Sequence, residues 1–126
     1  MKKAIATNAA PGAVGPYSQG IEADGLVFVS GQLPVDPATG VFVPGGAAEQ
    51  ATQSLKNISA VLAAAGCTME DVVKTTVFLT DMGKFAEVNE VYAAFFKGDC
   101  PARSAVQVGA LPKGAQVEIE AIAAKK

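Results

Sequence analysis

The stretch "EDVVKTTVFLT", from Glu70 to Thr80, decides the fold of this 126-residue chain. Valine, threonine, phenylalanine and leucine occupy both of its alternating faces, which is typical of a strand inside a sheet. One helical pattern precedes this strand and another follows it. The chain therefore predicts an α+β protein whose helices pack against a sheet.

In both helical patterns, apolar residues recur at alternating steps of three and four residues. The first runs from about Ala47 to Ala65 and ends at Gly66, a residue type that stops helices. The second begins near the capping residue Asp81 and ends before Gly98. We assign the side chains at these spacings to the core: Ala51, Leu55, Ile58, Leu62 and Ala65 in the first helix, and Phe85, Val88, Tyr92 and Phe95 in the second.

Four further segments have the pattern of strands. Residues 19–23 and 25–35 predict a hairpin, and residues 103–108 and 116–123 predict two strands that close the chain. We predict a single domain over residues 1–126, in which two helices cover only one face of the sheet. The uncovered face carries apolar positions, which predicts an oligomer that buries them: Ala105, Val106 or Val108, Ile122 and Ala124.

Composition excludes several classes of function. A net charge of −2 with dispersed lysines provides no basic surface for a phosphate backbone, so we expect no nucleic-acid partner. No apolar run approaches the roughly 20 residues of a membrane span, and the opening "MKKAIATNAAPG" is too interrupted for a signal peptide. The two cysteines lack a ligand-like spacing, which predicts no disulfide, no thiolate metal site and a reducing, cytoplasmic location.

Histidine is absent from the chain. Its absence excludes Ser-His-Asp and Cys-His nucleophiles as well as any ordinary zinc site. Any catalysis must then depend on carboxylates, arginine, tyrosine, hydroxyl groups and the backbone.

Arg103, in the stretch "PARSAVQV", is the only arginine of the chain. A solvated positive charge needs no arginine, whereas a planar guanidinium grips a carboxylate or a phosphate with two parallel hydrogen bonds. Arg103 is therefore a candidate anion-binding residue. The residues alone leave open a second interpretation, in which Arg103 forms a structural ion pair with a glutamate of the last strand.

The last strand, "VEIEAIA", places Glu118 and Glu120 on the same face as Ile122. Apolar surroundings raise the pKa of a carboxyl group toward values that are useful in acid–base catalysis, and we expect this for at least one of the two. The alternative is an edge strand with two solvated glutamates. Periodicity does not distinguish Glu118 from Glu120.

Two turn-forming segments are weaker candidates. The stretch "GPYSQG" carries Tyr17, which either covers the core from a structured loop or lines a site. Ser30 and Gly31 follow an apolar run, where a glycine marks a β-bulge or lets a ligand approach the backbone. Neither segment matches a phosphate-binding loop.

Seven motifs, in order and at matching intervals, resemble the Rid (YjgF/L-PSP) family of reactive intermediate deaminases. They span nearly the whole chain: "GPYSQG", "VSGQLP", "AAG", "DVVKTTVFLTDM", "FAEVNEVYAAFF", "PARSAVQV" and "VEIEAIA". The resemblance implies a fold similar to chorismate mutase, with a mixed sheet and two helices on one face. It also implies a homotrimer whose sheets surround a central β-barrel.

The resemblance further implies sites in clefts between subunits. There, small 2-imino or enamine acids such as 2-iminopropanoate and 2-iminobutanoate would be hydrolysed to 2-keto acids and ammonia, without a cofactor or metal. Arg103 would clamp the substrate carboxylate, and Glu118 would position the attacking water. The residues that would line the cleft are Tyr17, Ser30, Gly31 and Asn89.

Position 105 departs from the family pattern. Many bacterial members have a cysteine where this chain has Ala105, so only the backbone of Ala105 would serve the site. Two other functions stay open: a non-catalytic module that senses small carboxylic acids through Arg103, and a ribonuclease or translation inhibitor, a label used within the family. Glu118 favours the enzyme because binding alone does not need it, whereas the acidic charge and the lack of histidine disfavour the ribonuclease.

Overall fold

The computed structural model describes residues 1–126. In chain order its elements are β1 (Lys3–Ile5), β2 (Gly20–Ala23), β3 (Leu26–Gln32), α1 (Ala47–Ala64), β4 (Val72–Leu79), α2 (Phe85–Ala93), β5 (Ala102–Gln107) and β6 (Val117–Ala124). Short 3₁₀ turns precede β4, α2 and β6. All six strands form one sheet in the order β1-β2-β3-β6-β4-β5. Neither helix combines the length and the apolar character that crossing a membrane requires.

Neighbouring strands are antiparallel except for β4 and β5, which are parallel and are joined across α2. The stretch that decides the fold forms β4, an internal strand between β6 and β5. The last strand, β6, is also internal, so the alternative of a solvated edge strand for Glu118 and Glu120 is wrong. The strand β1 has no predicted counterpart, because its three residues are too few to show an alternation.

The core lies between one face of the sheet and the two helices. Val117, Ile119, Ala121 and Ala123 are the buried residues of β6, at every second position. The predicted apolar stripe of α1 is confirmed, because all five of its members are buried. Gly66 follows with a φ of +80°, the left-handed conformation in which a glycine ends a helix.

The second helix is shorter than its spacing predicts. Asp81 caps the 3₁₀ turn Met82–Lys84, where its side chain accepts a hydrogen bond from Gly83 N at 2.8 Å. The α-helix itself begins at Phe85 and ends at Ala93. Of its predicted core residues, Val88 and Tyr92 are buried, whereas Phe85 and Phe95 are half-buried against the core.

The face of the sheet opposite the helices carries exposed apolar side chains. Phe28 and Val106 are 40% and 41% exposed, and Ile122 pairs with Phe28 between β3 and β6. The prediction that Ala105 lies on this face is wrong, because Ala105 pairs with the buried Val77 and packs against the core. The two-residue period of a strand places Val106 on the uncovered face and its neighbour on the helix side.

Candidate functional site

A cavity of about 870 Å³ opens where β3 ends and β6 begins. The loop before β2 and the loop after β3 form two of its walls. Four predicted site residues line it, namely Tyr17, Ser30, Gly31 and Glu118. Tyr17 is 51% exposed and faces the cavity, so the interpretation that it covers the core is wrong.

A β-bulge shapes one side of the cavity. The ladder between β3 and β6 shifts its register there, so Ser30 and Gly31 together face a single residue of β6. Ser30 Oγ donates a hydrogen bond to the carbonyl oxygen of Ser18 at 2.5 Å, which ties the bulge to the loop that carries Tyr17. The bulge, one of the two alternatives for Gly31, is thereby confirmed.

The carboxylate of Glu118 lies directly over Gly31. A Cβ atom built on residue 31 overlaps this carboxylate, so any side chain there displaces it. The φ angle of Gly31 is not in the left-handed region, which means that position 31 needs glycine for space rather than for backbone conformation. The bulge and its glycine therefore create the room that the Glu118 side chain occupies.

Burial raises the pKa of Glu118 above its ordinary value of 4.5, and the negative charge of Glu120 raises this pKa further. Glu120 lies two residues farther along the same face and is itself exposed. The expected raised carboxyl pKa is thus confirmed for Glu118. Such a carboxylate accepts a proton from water more readily than a fully solvated one. No group of three or more His, Cys, Asp or Glu side chains is arranged to hold a metal ion.

The buried Gln19 side chain, which no pattern in the sequence indicates, holds the N-terminal wall of the cavity. Its Oε1 accepts a hydrogen bond from Thr7 N at 2.7 Å. Its Nε2 donates to the carbonyl oxygens of Thr7 at 3.0 Å, Ala10 at 3.3 Å and Pro11 at 2.7 Å. This one amide therefore fixes the loop from residue 7 to residue 11, part of which lines the same cavity as Tyr17.

A second buried amide, Asn57 of α1, holds the opposite wall. Its Nδ2 donates to the carbonyl oxygens of Leu33 at 3.1 Å and Val35 at 2.9 Å, while its Oδ1 accepts from Gln53 Nε2 at 2.9 Å. The sequence contains a signal for Asn57: this polar residue lies directly before Ile58, on the side of an amphipathic helix that faces the core. Asn57 thereby supplies hydrogen-bond partners to the backbone of the loop after β3, as buried polar side chains usually do.

Arg103 lies outside the cavity, on β5. Its Nη1 donates a hydrogen bond to Asn89 Oδ1 at 2.8 Å, and its Cζ lies 5.0 Å from the centroid of the Phe85 ring and 4.8 Å from that of Tyr92. No carboxylate lies within ion-pair distance of Arg103. The interpretation of Arg103 as half of a structural ion pair within the chain is therefore wrong.

The predicted site residues fall into two groups on opposite faces of the sheet. Arg103 pairs with Thr75 of β4, whereas Glu118 pairs with Phe78 of the same strand. Thr75 and Phe78 are three residues apart, so they and their partners face opposite ways. The cavity group contains Tyr17, Ser30, Gly31 and Glu118, and the arginine group contains Arg103 and Asn89, with Ala105 beside them on the same face.

Comparisons with known proteins give close similarity over the whole chain. The family model described as "Endoribonuclease L-PSP" matches residues 7–125. A protein of Mus musculus named "2-iminobutanoate/2-iminopropanoate deaminase" is 54% identical over 123 residues, which cover 98% of this chain and 91% of the mouse protein. The crystal structure of E. coli TdcF with bound serine has a TM-score of 0.94 and 49% identity, over 98% of this chain and 99% of TdcF. The YjgF gene product of E. coli has a TM-score of 0.95 and 50% identity, over 98% of this chain and 99% of YjgF.

Proposed function

Because this chain belongs to the Endoribonuclease L-PSP family, whose members include the YjgF protein, we propose that it hydrolyses small 2-imino acids to 2-keto acids and ammonia. Relatives named 2-iminobutanoate/2-iminopropanoate deaminase, at 54% and 52% identity, support an imine deaminase. The observation that carries the proposal is the Glu118 carboxyl group, half-buried in a cavity with a raised pKa. Such a group suits the transfer of a proton to and from water.

The complete site lies between two copies of the chain. Arg103 and Glu118 of one chain face away from each other, so a single substrate molecule meets both only if they come from different copies. The exposed Phe28 and Val106 on the uncovered face favour an assembly that buries them. We assign this assembly as the homotrimer around a central β-barrel that the family resemblance implies.

Hydrolysis then proceeds in four steps. Arg103 of one copy binds the substrate carboxylate with two parallel hydrogen bonds, which fixes the neighbouring iminium carbon. Glu118 of the next copy accepts a proton from water as the water oxygen bonds to that carbon, and then returns the proton to the nitrogen. The C–N bond breaks and ammonia leaves with the bonding electron pair. The remaining hydroxyl group loses its proton to Glu118 as the keto group forms, and Glu118 passes this proton to the departing ammonia, which leaves as ammonium and restores the carboxylate.

A non-catalytic module that binds small carboxylic acids is the second candidate. The serine bound to E. coli TdcF favours it, because serine is a small amino acid with a carboxylate. A ribonuclease fits this chain poorly, since the cavity holds two glutamates and Lys113 is its only basic residue. Such a cavity repels a phosphate backbone rather than attracting one.

The test is the rate of keto-acid formation from imino acids generated in situ from alanine, 2-aminobutyrate and leucine. The wild-type chain should accelerate formation of the keto acid beyond the spontaneous rate, and the ranking of the three substrates should report the size of the site. The Glu118→Gln variant serves as the matched control, because it keeps the shape of the side chain. Binding of keto acids without any acceleration would instead identify the binding module.

A further inference from the structure

The guanidinium of Arg103 rests on one face of α2. Phe85, Asn89 and Tyr92 are spaced by four and three residues, so their side chains project on the same side of the helix. All three contact Arg103: the two rings lie at 5.0 Å and 4.8 Å from its Cζ, and the Asn89 oxygen lies at 2.8 Å from its Nη1. A single helix face therefore determines where the only arginine of the chain points.

The Tyr92 ring is itself fixed. It is buried, its hydroxyl oxygen lies 2.7 Å from Thr75 Oγ1, and its centroid lies 4.7 Å from that of Phe96. Thr75 is the residue of β4 that pairs with Arg103 in the parallel ladder. The ring and the backbone of the arginine are thus anchored to the same buried threonine, which leaves the guanidinium little freedom relative to the sheet.

The contacts of Arg103 within the chain leave most of its N–H donors and its positive charge available to bind an anion. A guanidinium has five N–H donors, and only the bond to Asn89 uses one of them, so four stay free within the chain. Ring faces and a neutral amide do not cancel its charge. A long, mobile side chain loses rotamer entropy when it binds a ligand, and holding it in place beforehand removes that cost.

We propose that Phe85 and Tyr92 are positioning residues, which hold the Arg103 guanidinium by their ring faces in the orientation that receives a substrate carboxylate. This inference rests on the proposed function, because it concerns the same arginine. The proposed stacking requires a planar cation at position 103, because only a flat group such as the guanidinium stacks on the face of a ring. The alternative is that both rings only fill the core. In that case, removing a ring should weaken binding by the same factor with arginine or with lysine at position 103.

The experiment changes the aromatic ring at position 85 in two versions of the chain, one with arginine and one with lysine at position 103. Phe85→Leu removes one ring and keeps an apolar side chain, whereas Phe85→Tyr keeps the ring. Phe95→Leu is the matched control, because Phe95 is also half-buried against the core but does not contact Arg103. Each change is made in the assembled full-length chain, with arginine or with lysine at position 103, and the dissociation constant for 2-oxobutanoate is measured by calorimetry.

In the arginine background we expect Phe85→Leu to weaken binding of 2-oxobutanoate by about 3- to 30-fold and to raise KM for 2-iminobutanoate in proportion. Phe85→Tyr should lie closer to the wild type, and Phe95→Leu should change binding much less than Phe85→Leu. In the Arg103→Lys background, Phe85→Leu should weaken binding no further. An equal loss in both backgrounds, or an equal loss in Phe95→Leu, would overturn the inference.

Two further outcomes separate this inference from the proposed function. If the wild-type chain binds 2-oxobutanoate with the expected pattern but does not hydrolyse imino acids, the positioning role stands and the deaminase proposal fails. If the wild-type chain binds no 2-keto acid, the positioning role fails as well. Should Phe85→Leu not fold, Tyr92→Phe tests the same anchor: it keeps the ring, removes the bond to Thr75, and should weaken binding only when arginine is present.

Discussion

Arg103 and Glu118 lie on opposite faces of one sheet, because their partners in β4, Thr75 and Phe78, are three residues apart. The two residues cannot act on one small substrate within a single chain. Each has an environment suited to half of a reaction. Arg103 offers free N–H donors on an ordered guanidinium, and Glu118 offers a carboxyl group with a raised pKa in a cavity.

The first prediction is complementation between two inactive variants. Arg103→Lys and Glu118→Gln should each have little activity, but the proposed trimer, assembled from an equal mixture of the two, should regain about a quarter of the wild-type activity. The reason is that a site in a mixed trimer sometimes receives the intact arginine from one copy and the intact glutamate from the next. Keto-acid formation after co-expression or joint refolding measures this, and light scattering checks the trimer. A mixture no more active than the average of its parents would contradict the shared site.

The second prediction concerns Gly31→Ala. Its new methyl group meets the Glu118 carboxylate, the mobile end of a side chain, so that carboxylate should be displaced at little cost in stability. We expect a fall in kcat with a melting temperature close to that of the wild type. Gly12→Ala is the control, because residue 12 lines the same cavity and a Cβ there meets no atom within 4 Å. Equal kcat in both variants would show that the position of Glu118 does not matter.

The third prediction separates the two glutamates by pH. Glu118→Gln should lower kcat by roughly 10²- to 10⁴-fold, whereas Glu120→Gln should cost much less. The proposed mechanism uses the carboxylate form of Glu118, so activity should disappear as the pH falls through the pKa of Glu118, which lies above 4.5. Removing the charge of Glu120 should move that acidic limb to lower pH. An unmoved limb in Glu120→Gln would contradict the electrostatic link between the two residues.

The fourth prediction is a gain in stability for Glu118→Gln at neutral pH. Burial raises the pKa of Glu118 in the folded chain above its ordinary value of 4.5. Its favourable contribution is therefore complete below pH 4.5 and is lost as the pH rises through the folded-state pKa. Melting temperatures of the wild type and of Glu118→Gln should differ most near neutrality and converge in acid. A variant that is less stable than the wild type at pH 7 would contradict the assignment.

The fifth prediction is that Gln19→Met loosens the N-terminal wall. Methionine has a similar length but leaves buried backbone groups without partners, which should lower the free energy of unfolding by roughly 1–3 kcal/mol. Hydrogen exchange should rise in residues 7–11, where Gln19 makes its contacts. Gln53→Met is the control, since Gln53 makes one side-chain bond and does not reach this loop. Uniform exchange changes across the chain would point to a general loss of packing instead.

Local patterns predicted much of the fold and part of the candidate site. Periods of 3.6 and two depend only on neighbouring residues. They predicted the apolar stripe of α1, the strand from Val72 to Leu79, and the position of Glu118 and Glu120 on the same face of β6. A raised pKa for at least one of the two glutamates was also predictable, because the strand around them is apolar, but its assignment to Glu118 needed the tertiary structure. The choice of arginine at position 103 indicated an anion from the chemistry of its side chain alone.

The sequence by itself thus determined which residues alternate, which types of group are present and which catalytic chemistries are absent. Only the tertiary structure decided that β6 is internal, that Ala105 faces the helices, and that Arg103 and Glu118 face opposite ways. It also decided that Gln19 holds a distant loop, through bonds that span 8 to 12 residues. The physical reason is that strand register and burial arise from contacts between segments far apart in the chain, whereas periodicity reports only the conformation of each segment.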